Sequence, residues 1–412
     1  MIYHIKAPKK LKTSALLPSS KSISNRVLIL NALCNHPKII NNVSVCDDTE
    51  VVIKALNEKK SNIDIGAAGT AMRFLTAYLS GQKGSYTITG TERMKNRPVK
   101  ILVDALRTTG AGINYIDKDG YPPLHINGRI LKGGSVNLDG SVSSQYISAL
   151  LMIGPTMTNG LRLHLSGNII SQPYINLTIR LMRQFGVIVY EEGQTYTIPP
   201  QQYSPVENFT VESDWSAASY WYEMVALCED DSATVSLSGL LSDSLQGDSS
   251  IVNLFDCLGV CTTFTPDGVT LTKKQRTSCS MLTFDFVSMP DMAQTAAVTC
   301  AMLGITFHFT GLQSLKIKET DRLNALRAEL KKLGYFIEIH NENSLTWDGR
   351  RCEADASPII STYEDHRMAM AFAPVSLCID NGISISEPGV VSKSYPSYWN
   401  DLKKANFIGV EN

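Results

Sequence analysis

The sequence predicts a mixed α/β protein of two lobes, each built from three related units. Three observations predict it. The 412 residues suit two domains better than one, at about 100–200 residues per domain. A small-polar start followed by an Ala/Leu-rich helix recurs six times, anchored at Ser22, Thr70, Ser144, Ser216, Asp291 and His366, with spacings of 48, 74, 72, 75 and 75. Within the long intervals a second pattern repeats, in which a helix ends in Gly and two short strands flank a polar turn. Its copies are "ALRTTGAGINYIDKDGYPPLHING", "LMRQFGVIVYEEGQTYTIP", "LFDCLGVCTTFTPDGVTLT" and "ELKKLGYFIEIHNENSLTW".

Along the chain, residues 3–6 read as a strand ahead of the first polar helix start. They are assigned to the C-terminal lobe, because termini often pair in space. In "LPSSKSISNRVLIL", Ile23, Val27 and Leu30 are spaced for one apolar helix face, and Ser19 and Ser20 are good N-caps. The next interval is short. "VVIKALNEKKSNIDIG" runs from a helix almost directly into the second repeat, so the first unit lacks its hairpin. In the other copies the Gly after each helix fits a C-cap needing positive φ, and "DKDG" and "TPDG" are turn chemistry. In "KIKETDRLNALRAELKKLG", Thr320 is positioned to cap a helix whose Leu323, Leu326, Leu330 and Leu333 face the core. Three repeats per lobe set the boundaries at 19–212 for the N-terminal lobe and at 1–18 plus 213–412 for the C-terminal lobe.

Composition excludes several classes. The formal net charge is −1, which gives no bulk attraction to nucleic acid or to an anionic membrane. Nine scattered cysteines without a CxxC pair read as reduced, mostly buried thiols of a cytoplasmic protein. No run approaches the ~20 apolar residues of a membrane helix. Walker, dinucleotide-binding and HExxH motifs are all absent from the sequence.

The chemistry-bearing residues gather at helix starts. Lys21 opens its helix, where free N–H groups already carry partial positive charge, and Ser22 and Arg26 share a face beside it. An anion held there resolves the misplacement; a solvated surface Lys and Arg is the bland alternative. Gly69 and Thr70 precede Arg73, and their small size allows close backbone approach by a ligand. Arg93 and Arg97 are placed on a loop before Pro98. Ser143, Ser144 and Gln145 offer two hydroxyls and an amide at a helix start, and "ISQPYINL" adds Ser171 and Tyr174. Asp291 follows Pro290. Lys318, Glu319 and Arg322 crowd one helix entry, His366 and Arg367 another, and Lys393 is placed on a loop. "WSAAS" is read as ordinary capping. Many cations with a few carboxylates suit a small substrate bearing phosphate and carboxylate groups, which Arg grips bidentately.

"LPSSKSISNR", "AGTAMR", "DGSVSSQ", "PDMA", "KETDRL" and "DHRMAM", in that order, resemble the 5-enolpyruvylshikimate-3-phosphate synthase family of enolpyruvyl transferases. The resemblance implies the two-domain enolpyruvyl-transferase fold, an inside-out α/β barrel with three βαβαββ units per domain. It implies transfer of the enolpyruvyl group of phosphoenolpyruvate to the 5-hydroxyl of shikimate 3-phosphate, through a tetrahedral intermediate and with release of phosphate. No metal or cofactor is implied. A cytoplasmic monomer acting between the lobes on the route to chorismate and the aromatic amino acids is the expectation. Carried over residue by residue, Lys21 touches both substrates. Ser22, Arg26, Ser143, Ser144, Ser171 and Lys318 hold shikimate 3-phosphate. Gly69, Arg97, Gln145, Arg322, Arg367 and Lys393 surround phosphoenolpyruvate. Asp291 accepts a proton and Glu319 donates one. Ala67, Phe74, Gln172 and Ser314 depart from residues common in the family. Two other readings are a transferase acting on a UDP-N-acetyl sugar, whose mobile acid loop finds no match in this sequence, and a non-catalytic anion-binding relative.

Overall fold

A computed structural model describes residues 1–58, 60–276 and 281–411. The chain divides into two compact units, Ser19–Val211 and Met1–Pro18 with Glu212–Asn412.

In the Ser19–Val211 unit, two four-stranded sheets have the same construction. In one, Asn62–Asp64 runs parallel to Gly84–Thr89, which pairs antiparallel with Leu124–Gly128, which pairs in turn with Gly112–Tyr115. In the other the corresponding strands are Gly134–Asp139, Leu161–Ser166, Thr195–Ile198 and Tyr190–Glu192. A helix crosses over between the two parallel strands and a second helix leads into the hairpin, which is the βαβαββ order. Among the described residues the first repeat has the helices Lys21–Ala32 and Asp47–Glu58 but no hairpin of its own. Its sheet is reduced to one parallel bridge, Asn41 with Thr210.

The other unit has three such sheets, and two of them borrow N-terminal strands. Lys12–Leu16 lies parallel to Thr234–Ser238 beside the hairpin Val260–Thr265 and Gly268–Lys273. Ile2–Lys6 sits between Ile383–Ser386 and Ile408–Glu411, antiparallel to both, and so occupies a hairpin-strand position in the last repeat. The middle sheet, from Leu282–Asp285 to Glu338–His340, is contiguous.

The two helix types differ physically. The helices that open repeats are buried nearly all round. In Ser144–Ile153 every residue but Gln145 is buried, and in Trp215–Leu227 every residue but Ser216 is. A helix apolar on all faces belongs inside. The helices that lead into hairpins, such as Lys100–Thr108 and Gln172–Gln184, keep one polar face. Four of these end at Gly110, Gly186, Gly259 and Gly334, with φ of +101°, +81°, +93° and +87°. The repeated Gly thus meets a left-handed turn that disfavours a Cβ.

Several local expectations are corrected. Asp321, not Thr320, caps Arg322–Lys332 and accepts from the Asn324 N–H, because its carboxylate reaches a free first-turn donor. Arg93 lies in a short helix, Glu92–Lys95, capped by Thr91. Asp291 lies in a 3₁₀ turn, Pro290–Met292, ahead of the helix Ala293–Leu303. Lys393 ends another 3₁₀ turn, Pro388–Lys393. Among the described cysteines none forms a disulfide, but Cys257 and Cys378 are exposed and only Cys34, Cys46, Cys228 and Cys300 are buried. Cys279 lies outside the described residues.

Candidate active site

In the C-terminal unit, three repeat-opening helices bring their starts together. Arg367, second residue of His366–Phe372, donates to Ser216 Oγ (3.2 Å) at the start of Trp215–Leu227. It also pairs with the Asp291 carboxylate (3.3 Å) and donates to the Asp291 carbonyl (3.3 Å). Arg322, 1% exposed, is the hub. It binds Asp291 (2.7 Å), Glu319 (2.8 Å) and Asp365 (2.7 Å) through three different nitrogens. Lys318 approaches Asp291 at 3.4 Å, and Lys393 approaches Glu319 at 3.1 Å. Predicted residues from four separate segments therefore meet in one network: Asp291, Lys318, Glu319, Arg322, Arg367 and Lys393.

The charges explain one another. Burial acts to raise the Asp291 pKa, but Arg367, Lys318 and Arg322 outweigh it and hold the carboxyl well below the usual range. Arg322 loses from burial and gains more from Asp365, Glu319 and Asp291, so it stays charged. Three residues were not foreseen in this network. Asp365 accepts from Arg322 and caps its own helix at the Arg367 N–H (2.9 Å). Ser216, read as a plain cap position, donates to Asp248 and accepts from Arg367. Asp248 is buried, and burial together with Asp291 pushes it up to about 6 against the pull of Arg367 and Ser216. The sequence offered one signal for Asp365, its place in "EDHR" before a helix. It offered none for Asp248, which meets Ser216 across 32 residues.

The N-terminal unit holds a separate set of the predicted residues. Ser20 caps Lys21–Ala32, and Lys21 reaches back to Asp48 at 3.3 Å, an acidic partner from the next helix. Gly69 opens Gly69–Ser80, and its Cα is covered so closely by Arg97 that a Cβ there would stand 2.6 Å from the guanidinium. Gln145 donates to Thr70 Oγ1 (2.9 Å), which ties two helix starts together. Ser143 caps Ser144–Ile153, and Ser144 is buried just inside it. Ser171 is left-handed, with φ +56°, at the entry of Gln172–Gln184. A non-glycine residue held there is strained, and such strain gathers at functional sites.

Arg26 is buried, against the bland alternative of a solvated surface Arg. It is 2% exposed and donates to Thr178 Oγ1 (2.7 Å), Ser22 O (2.9 Å), Ser148 Oγ (3.1 Å) and Tyr174 O (3.4 Å), while its guanidinium lies over the Phe74 ring at 5.3 Å. Burial lowers it to about 10. Arg26 braces three helices, and the departure at Phe74 gives it an aromatic face. Arg73 is likewise buried, with its guanidinium on the Gly69 carbonyl (2.9 Å). Ser314 Oγ is buried without a hydrogen-bond partner among the described residues. No group of three or more His, Cys, Asp or Glu suited to a metal ion occurs among the described residues. None of the described helices is long and apolar enough to cross a membrane.

Residues 53–402 match the family model described as EPSP synthase (3-phosphoshikimate 1-carboxyvinyltransferase). The chain belongs to the EPSP synthase family. Within that family it is 56% identical to the 3-phosphoshikimate 1-carboxyvinyltransferase of Bacteroides fragilis (strain YCH46) over 408 residues, covering 99% of this chain and 98% of that one. It is 34% identical to the enzyme of the same name from Idiomarina loihiensis, over 97% of this chain and 98% of the relative. A solved structure of EPSP synthase from Acinetobacter baumannii superposes with a TM-score of 0.79 at 20% identity and full coverage of both chains, which supports the fold. Every one of the six family-like motifs except "LPSSKSISNR" falls within the matched residues.

Proposed function

We propose that the two residue sets, one from each unit, carry out the family reaction: transfer of the enolpyruvyl group of phosphoenolpyruvate to the 5-hydroxyl of shikimate 3-phosphate. The observation that carries this assignment is the Asp291 carboxylate, held ionised by Arg367, Lys318 and Arg322 at the start of a buried helix. In this reading Arg322, Arg367 and Lys393, with Gly69, Arg97 and Gln145, surround phosphoenolpyruvate. Ser22, Ser143, Ser144, Ser171 and Lys318 hold shikimate 3-phosphate, and Lys21 touches both. Arg26, with four of its five N–H groups engaged, acts mainly by fixing Ser22.

The chemistry follows from the charges. A carboxylate gripped by three cations is a weak base. Phosphate and carboxylate groups of the substrates compete for those same cations, so binding raises the basicity of Asp291 where it is needed. Asp291 then takes the 5-hydroxyl proton as the oxygen bonds to C2 of phosphoenolpyruvate. The same competition for Arg322 and Lys393 lets Glu319 take up a proton from solvent, which it gives to the methylene carbon as the tetrahedral intermediate forms. Breaking the C2–O bond to phosphate, with loss of a methyl proton back to Glu319 and of the Asp291 proton to the departing phosphate, forms the enol ether and returns both carboxyls to their starting states. The cations neutralise charge on the departing phosphate. The reading also has the chain working as a cytoplasmic monomer.

The deciding experiment incubates the purified chain with shikimate 3-phosphate and phosphoenolpyruvate and measures phosphate. Turnover dependent on both substrates is expected. Binding of both without turnover, or turnover only with a UDP-N-acetyl sugar, would overturn the reading.

A further inference from the structure

Outside the network, one buried acid has no part in the chemistry. Glu329 is fully buried on the Arg322–Lys332 helix, seven residues after Arg322. Seven residues are nearly two helical turns, so Glu329 and Arg322 lie on one face, about 10 Å apart along the axis. Each is tied to the same incoming segment. Glu329 accepts from Tyr363 Oη (2.6 Å), from the Ser361 N–H (3.0 Å) and from Lys332 Nζ (2.7 Å). Lys332 in turn donates to the Ile359 carbonyl (2.8 Å). Four residues beyond Ser361, Asp365 is held by Arg322.

Between these two ties the backbone is strained. Tyr363 and Glu364 are successive non-glycine residues in the left-handed region, with φ of +54° and +56°. Each such residue costs about 1–3 kcal/mol and persists only where its surroundings hold it. The Glu329 bonds to Ser361 and Tyr363 grip the segment at the onset of the strain, beside the Lys332 bonds to Ile359 and Ser361 and the Ser386 bond to the Ile360 carbonyl. Immediately after it come Asp365 and Arg367. We propose that Glu329, through Ser361 and Tyr363, is a positioning residue that fixes where Arg367 stands relative to Arg322 and so sets the affinity for phosphoenolpyruvate.

This rests on the reading that Arg322 and Arg367 hold phosphoenolpyruvate, and the test separates the two. Steady-state kinetics are measured on the full chain and on its Tyr363→Phe, Glu329→Gln, Arg367→Lys and Tyr363→Phe/Arg367→Lys variants, varying each substrate in turn. Tyr363→Phe removes one hydroxyl and no packing. One lost hydrogen bond corresponds to about 2–10-fold. That rise is expected in KM for phosphoenolpyruvate, with KM for shikimate 3-phosphate and kcat changed less than about 2-fold. Glu329→Gln is expected to raise the same KM at least as much. Tyr363→Phe is expected to add less than about 2-fold once Arg367 is already Lys, because the latch acts through Arg367. If Arg367→Lys raises KM for phosphoenolpyruvate while Tyr363→Phe and Glu329→Gln only lower Tm, the latch is overturned and the assignment of Arg367 stands. Equal rises in both KM values for Tyr363→Phe would also overturn it, as general loosening. An unchanged KM in Arg367→Lys would overturn the assignment and the latch together.

Discussion

At the scale of single residues, the site is a problem of compensating buried charge. Arg322 sees three carboxylates at 2.7–2.8 Å. Breaking such a set costs more than the set contributes as a whole, because the orphaned charge stays buried. Asp291→Asn and Glu319→Gln are each expected to lower kcat by about 10²–10⁴, the range for acid–base groups; near-unchanged rates would remove them from the mechanism. Asp248 has a different signature. Its pKa rises from 3.8 to about 6, chiefly by burial and then by Asp291. A raised carboxylate pKa means that the folded state holds its proton longer than the unfolded state. Its ionised form therefore penalises folding, with no penalty below pH 4 and the full one above pH 6. Asp248→Asn is expected to gain Tm over the parent progressively between pH 4 and 6 and then level off, with at most about 3 kcal/mol involved. A Tm difference that does not vary with pH would contradict an ionising, buried Asp248 as its cause.

At the scale of elements, two glycines separate site from scaffold. Gly69→Ala would place a Cβ 2.6 Å from Arg97 and 3.0 Å from Arg73, both movable side-chain ends. The expected result is a several-fold rise in KM for phosphoenolpyruvate with little change in Tm, read by kinetics and melting together. Gly186→Ala meets a φ of +81° far from any assigned residue in sequence, and is expected to cost about 1–2 kcal/mol of stability with kcat intact. The glycine-terminated helices and their hairpins were legible because each signal is local: a Gly, a turn tetrapeptide, an alternation of two. Helix entries were less so. Thr320 and Asp321 are adjacent and both able to cap, and only the backbone path shows which oxygen reaches the Asn324 N–H. Ser216 looked like a cap because its partners, Asp248 and Arg367, lie 32 and 151 residues away. Long-range ion pairs leave no trace in spacing, whereas the resemblance, which carries the spacing of a whole family, located their cationic members without naming Asp365 or Asp248.

At the scale of the whole molecule, the described residues form five four-stranded sheets and one reduced to a bridge, which match the sixfold repeat with its missing hairpin. The repeat is readable in one sequence because each helix that opens a unit follows a small or polar start with a largely apolar run. The Ser19–Val211 unit contains both of its sheets without help from other segments. A fragment of residues 19–211 is therefore expected to unfold cooperatively on its own in a denaturant titration, and a broad, non-cooperative transition would contradict this. The strand Ile2–Lys6 is in the opposite position, since both of its neighbours come from residues beyond 380. On a ribosome it emerges well before either partner strand, and its place is filled only after the intervening lobe has been made. For that interval Ile5 has no sheet to rest against, so this one sheet cannot close until the residues beyond 380 have been made.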